Sequence, residues 1–202
     1  MFSDCNKKIF FRNAVGKTHT VIRSEKSMTA FRNRMIRAAK LDVQLYEEVE
    51  ADQGATGQAM TVVILSAAAA GIGSVSADAF SLTSFLIGTI GALGGWYVWA
   101  FLAYFIGTKF LPEPQTRADH RELLRTIGFS SAPGLIRALG FIPGLHDLLF
   151  FVAGIWMLVA MVIAVRQALD YTSTGRAIGV CVIGWAVQVV ILWVAMSIIG
   201  TP

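Results

Sequence analysis

Four stretches of this chain run for 18 or more residues without a formal charge: 58–77, 85–107, 148–165 and 177–200. This constrains the fold more than any other feature. A polypeptide in hydrocarbon must satisfy its backbone N–H and C=O groups within itself, so an isolated apolar run of this length folds as a helix. At ~1.5 Å per residue, 20 residues cover the ~30 Å core of a bilayer. The expectation is an all-α, polytopic membrane protein.

Composition agrees. Only 15% of the 202 residues are charged, 55% are hydrophobic, and the mean hydropathy is +0.61, whereas soluble domains carry about 25% charged residues. These values exclude a soluble enzyme, a disordered chain and a secreted disulfide scaffold. Ten of the 17 Lys and Arg fall within residues 1–57, and most of the others lie in short loops. The net charge of +4 therefore reads as the basic flank of membrane spans, with no nucleic-acid partner. Cys5 and Cys181 lie in unlike surroundings, so neither a disulfide nor a metal site is expected.

Residues 1–27 are polar, basic and without period, and no cleavable signal pattern stands out among them. The regular pattern opens at Met28, which reads as the native start. Between 28 and 41, Phe31, Met35, Ala38 and Leu41 share one helical face, while Arg32, Arg34, Arg37 and Lys40 take the rest. This is a basic amphipathic helix suited to an anionic membrane surface. Glu47, Glu48, Glu50 and Asp52 follow it and read as a solvated acidic turn. The chain thus divides into a polar tail 1–27, a cytoplasmic segment 28–57 and a membrane domain 58–202.

A fifth block, 126–145, contains Pro133, Pro143 and Arg137. Basic residues decide how to read it, because they concentrate on the cytoplasmic side. If the block crosses, Lys109, Arg117, Arg121, Arg125, Arg166 and Arg176 all fall on the face that carries the basic N-terminal segment. If it does not cross, Arg166 and Arg176 fall on the other. The reading is five spans with the N-terminus inside and the C-terminus outside, the third helix being broken by proline and glycine. A re-entrant block that still changes sides fits the same count.

The sequence Leu41-Asp…Leu45-Tyr46-Glu47-Glu48-Val49-Glu50 precedes the first span. The third block reads Gly128-Phe129-Ser130-Ser131-Ala132-Pro133-Gly134-Leu135, then Leu139-Gly140-Phe141-Ile142-Pro143-Gly144-Leu145. Later come Trp156, Val165-Arg166-Gln167-Ala168-Leu169 and Ser173-Thr174-Gly175-Arg176-Ala177. Together with the five-block layout, residues 28–202 resemble the YIP family of small five-span membrane proteins, named for interaction with Ypt/Rab GTPases. The resemblance is to compact, bacterial-type members and implies an integral protein of the bacterial cytoplasmic membrane. It marks Tyr46, Glu47, Pro133, Gly134, Pro143, Gly144, Arg166, Gly175 and Arg176 as structural motif residues. The long proline-rich N-terminal region and the Asp-Leu-Tyr-Gly-Pro motif of the eukaryotic relatives are missing, so GTPase binding is not carried over.

Arg137 is the only basic residue inside an apolar block. A charge at mid-bilayer costs ~2.5–3.5 kcal/mol on insertion scales, so it either contacts a lipid phosphate or substrate, or reaches the headgroups from a short, tilted helix. Gly91-xxx-Gly95 and Gly175-xxx-Gly179 suit close helix packing within the chain, or a homo-oligomer. Gln188, inside the last block, is expected to bond Ser130 or Ser131. His146-Asp147 reads as a polar turn or a proton-sensitive pair. No nucleophile elbow, P-loop or zincin motif occurs, and no cofactor is expected. The functional expectation is a non-enzymatic membrane organiser or adaptor. Its contacts would be Arg32, Arg34, Arg37 and Lys40 on anionic inner-leaflet lipids, and a cytoplasmic face (47–52 and 109–125) for a protein partner. The alternative is a small transporter or channel built around Arg137 and the broken third helix.

Overall fold

A computed structural model describes residues 27–74 and 81–199, with only the backbone described at 192, 195, 196, 198 and 199. The tail 1–26 and the expected start at Met28 as a chain terminus lie outside what it describes. The chain divides into two compact units, residues 1–36 and 37–202. In the first, residues 27–36 are helical. All that follows concerns the second.

After the last turn of helix at 37–39 come α1 (Val43–Ala51), α2 (Ala55–Gly73), α3 (Leu82–Lys109) and α4 (His120–Phe129). A 3₁₀ helix (Ala132–Phe141), α5 (His146–Ala168) and α6 (Thr174–Ile199) complete the order, and the described residues contain no strand. Four of these helices, α2, α3, α5 and α6, are long and apolar enough to cross a membrane. They match the four charge-free runs to within a few residues at each end. Their outward faces are built from exposed large apolar side chains such as Ile90, Phe151, Leu158, Trp185 and Trp193, the surface that lipid requires. The protein is an integral, multi-pass membrane protein.

The block 126–145 is not one α-helix. It consists of the end of α4, the 3₁₀ helix and a turn, Ile142–Leu145, in which Gly144 takes φ +83°. Pro133 sits in the first turn of the 3₁₀ helix, where its missing N–H costs nothing. Pro143 stands just beyond its end. The tighter helix brings residues three apart into line, so Ser131, Gly134, Arg137 and Gly140 form one stripe facing α2.

Along that stripe the block runs beside α2 and in the same direction. A Cβ added at Gly128 would meet that of Ala59 at 2.7 Å, and one at Gly134 would meet Ser66 Oγ. One at Gly140 would lie 2.9 Å from the carbonyl oxygen of Gly73. The steps match. From Ser66 to Gly73, seven residues of α-helix advance about 10.5 Å, and from Gly134 to Gly140 six residues of 3₁₀ helix advance about 12 Å, so contact is kept along the second half of α2.

Two expectations are corrected here. Residues 47–52 are not a solvated turn but belong mostly to α1, whose Leu45, Tyr46 and Val49 are fully buried. Nor do Gly91 and Gly95 pack against another described part of the chain. A Cβ at either position, as at Gly88 and Gly94, meets nothing within 4 Å. Around these glycines α3 stands clear of its described neighbours, while Phe85 lies against Gly71.

Candidate functional site

Two regions concentrate polar chemistry. The first is the end of the bundle where α3 finishes, α4 begins and α5 turns into α6. Glu113, in the loop after α3, is buried (8% exposed). Its carboxylate accepts from the backbone N–H and hydroxyl of Thr172 (3.0 and 2.7 Å), from Gln115 Nε2 (2.5 Å) and from the Ser173 N–H (3.4 Å). Arg176 Nε lies 3.4 Å away. Donation by Thr172 above all holds this carboxyl at about 2. Arg176 also donates to Pro112 O (2.6 Å), and Gln115 to Asp170 O (3.1 Å). The Tyr171 hydroxyl reaches the carbonyls of Gly107 and Leu111 at 2.9 and 2.8 Å. Burial pushes that phenol up to about 12. Arg166 donates to Tyr171 O (3.2 Å) and Thr172 O (3.4 Å). Two loops 55 or more residues apart in sequence are thereby stitched together.

Helix α1 docks on the same end. Arg125, buried in α4, donates to the carbonyls of Val49 (2.9 Å) and Glu50. These are among the last carbonyls of α1, which lack intrahelical partners and carry the negative end of the helix dipole. Gln167 Nε2 donates to Glu47 Oε1 (2.8 Å), and Arg37 forms ion pairs with Asp42 and Glu48, both at 2.7 Å. The Tyr46 hydroxyl donates to Ala38 O at 3.4 Å, and Trp156 Nε1 to Ala39 O at 2.8 Å. Glu50 is half-buried and faces Asp170 and Glu122. Burial first, then those like charges, raises its carboxyl to about 7. Lys109, Arg117 and Arg121 remain exposed on this end and bond nothing among the described residues.

The second region surrounds Arg137. Its Nη2 donates to Ser66 Oγ (2.8 Å) and Ser66 O (3.2 Å), and its Nε to Gly134 O (3.1 Å). The guanidinium carbon lies 5.9 Å from the centroid of the Phe150 ring. Beside it is a cavity of about 500 Å³ among α2, α3, the 3₁₀ helix, α5 and α6. A second cavity, of about 880 Å³, lies along α5 and α6 and shares Arg137, Trp99, Met157 and Met161 with the first.

The candidate residues from the sequence thus separate. Tyr46, Glu47, Arg37, Arg166 and Arg176 meet at or near the polar end, and Pro133, Gly134 and Arg137 lie on the stripe. Gly144 serves the turn before α5. Gly175 and Lys40 are exposed, and a Cβ at Gly175 would meet only Ser173 Oγ, at 3.5 Å. Arg32 and Arg34 belong to the other unit. His146 Nδ1 and Asp147 Oδ1 lie 2.9 Å apart at the exposed start of α5. The expected bond from Gln188 to Ser130 or Ser131 is corrected. Gln188 Oε1 is buried without a partner, and Ser130 donates to its own helix, to Ile127 O. Reading the residues alone missed Glu113 and Arg125, whose partners lie about 60–75 positions away. The third-residue spacing Gly128-Ser131-Gly134-Arg137-Gly140 was a legible sign of the stripe.

The Yip1 domain family model matches residues 43–196. No curated protein matches the chain, and no solved structure does.

Proposed function

The chain belongs to the Yip1-domain family, and from that premise we propose a non-enzymatic membrane organiser or adaptor whose contact surface is the stitched polar end. The observation that carries this reading is the combination found there. Glu113, Arg125 and Arg176 fix the loops internally, while Lys109, Arg117 and Arg121 stay exposed and unpaired among the described residues. A rigid scaffold presenting unspent positive charge suits anionic headgroups or an acidic partner.

The topology proposed with it is five crossings, the third made by α4 and the 3₁₀ helix together. The in-step contact of that block with α2 supports it. So does the meeting at one end of the 109–119 and 166–176 loops, each of which carries two basic residues. By the positive-inside rule that end is cytoplasmic and the C-terminus is outside; the resemblance to compact, bacterial-type members supports the bacterial cytoplasmic membrane as its place. The basic helical stretch with Arg32 and Arg34 would rest on the inner leaflet.

Photo-crosslinkers placed at Arg117, Arg121 and Asp147 of the full chain in native membranes test this reading. The proposal predicts discrete protein adducts from 117 and 121 and none from 147. Adducts from 117 should be lost on adding Lys109→Glu and Arg121→Glu, those from 121 on adding Lys109→Glu and Arg117→Glu, and both should weaken on deletion of 29–41, with insertion intact. Adducts that are absent, or unchanged in these charge-reversed variants, would contradict it. Solute flux into liposomes that vanishes in Arg137→Leu would favour the transporter alternative.

A further inference from the structure

Among the described residues, Arg137 is a charge without a counter-charge. Its described partners are neutral oxygens of Ser66 and Gly134 and the face of Phe150. Neither cavity that it lines contains a single Asp or Glu. Nη1 donates to nothing among the described residues, so one edge of the guanidinium is left for an acceptor. Two more polar atoms are stranded in the lining of the first cavity. Among the described residues, Trp99 Nε1 and Gln188 Oε1 are both buried and unbonded. The Trp99 ring lies 3.5 Å from where a Cβ would stand on Gly184, one helical turn before Gln188. Buried polar groups without partners are costly unless something supplies them.

The surroundings narrow what that something is. The first cavity is walled by α3 at Gly88 and Gly95, where the helix stands clear of other parts of the chain, so entry is lateral. The second is almost wholly apolar, with Leu158, Val159, Val162, Ile178 and Val182 along it. The two meet at Arg137, Trp99, Met157 and Met161. Along α2, Ser66 lies seven residues, about 10 Å, from the helix end at Gly73, so the guanidinium is within a headgroup's reach of that end. A free phosphate would use the charge alone. A two-chain lipid uses all of it.

We propose that these cavities form a binding site for an acidic phospholipid. Its phosphate pairs with Arg137 through the charge-assisted, two-bond geometry that guanidinium favours. The Trp99 indole N–H donates to a second lipid oxygen, Gln188 Oε1 accepts from a headgroup hydroxyl, and the acyl chains lie in the two clefts. This site lies toward the end opposite the basic surface and does not depend on the adaptor reading.

Native mass spectrometry of the full chain in neutral detergent tests it, by titration with dioleoyl phosphatidylglycerol, dioleoyl phosphatidylcholine, oleate and inorganic phosphate. One phosphatidylglycerol should bind in preference to the others. Its apparent affinity should fall about tenfold or more in Arg137→Gln, the scale of one lost charge-assisted contact, and less in Arg137→Lys. Trp99→Phe keeps the ring and removes only the N–H. It should weaken binding in a protein that folds normally, which keeps the test decisive if Arg137→Gln fails to fold. Equal binding of phosphatidylcholine, oleate or phosphate alone, or unchanged binding in both Arg137→Gln and Trp99→Phe, would overturn the proposal.

Discussion

Individual residues in this molecule act mainly through backbone groups that they satisfy or spaces that they leave. Gly73 and Gly134 are small because α2 and the 3₁₀ helix touch there. A Cβ on Gly73 would enter the carbonyl of Arg137, and one on Gly134 would lie 2.8 Å from Met157 Sδ. Gly73→Ala or Gly134→Ala should destabilise the protein by about 1–3 kcal/mol, the usual cost of overpacking. Gly91→Ala and Gly95→Ala, in open space, should be neutral; thermal unfolding in detergent measures both. Two carboxyls predict opposite pH effects. Glu113, held at about 2, stabilises the fold above its ordinary range near 4.5, and that contribution fades as pH falls toward 2. Glu50, raised to about 7, keeps its proton in the folded protein after the unfolded chain has lost it. Stability from this group therefore declines as pH rises from about 4.5 to 7. Melting profiles across pH should lose the acid-side decline in Glu113→Gln and the neutral-side decline in Glu50→Gln. Unchanged profiles would rule out these roles.

At the scale of elements, α1 is a nine-residue helix, too short to persist alone in water. It holds by burying Leu45, Tyr46 and Val49 and by the Arg125 guanidinium on its final carbonyls. Arg125→Met should cost about 2–3 kcal/mol, the range for hydrogen bonds to a charged donor. It should also raise hydrogen exchange across 43–51 before any other segment loosens; uniform exchange would show α1 held by other means. The 3₁₀ helix is the other unusual element, since runs of this kind seldom exceed 3–4 residues and this one has ten. Its spacing explains its persistence. Only a three-residue repeat keeps Gly134, Arg137 and Gly140 facing α2 together.

For the whole molecule, the four long helices were legible because uncharged runs such as 85–107 and 148–165 admit little else. The third block was legible as an anomaly but not as a shape. Pro133, Pro143 and Arg137 announced a break, while the 3₁₀ form depends on fitting beside α2, a contact from 71 residues away. Glu113 and Arg125 were hidden for the same reason, since they bond distant backbone that has no sequence signature. The YIP resemblance was readable in Gly and Pro placement, and the family match over 43–196 agrees with it. Small-residue spacing misled at Gly91 and Gly95, where the same pattern that packs helices borders open space. The account's centre is that the third block changes sides beside α2. Single cysteines at Asp147 and at Arg117, in a chain lacking Cys5 and Cys181, test it with a membrane-impermeant thiol reagent. Labelling of 147 and 117 from opposite faces of the membrane is the predicted result, and labelling of both from the same face would contradict it.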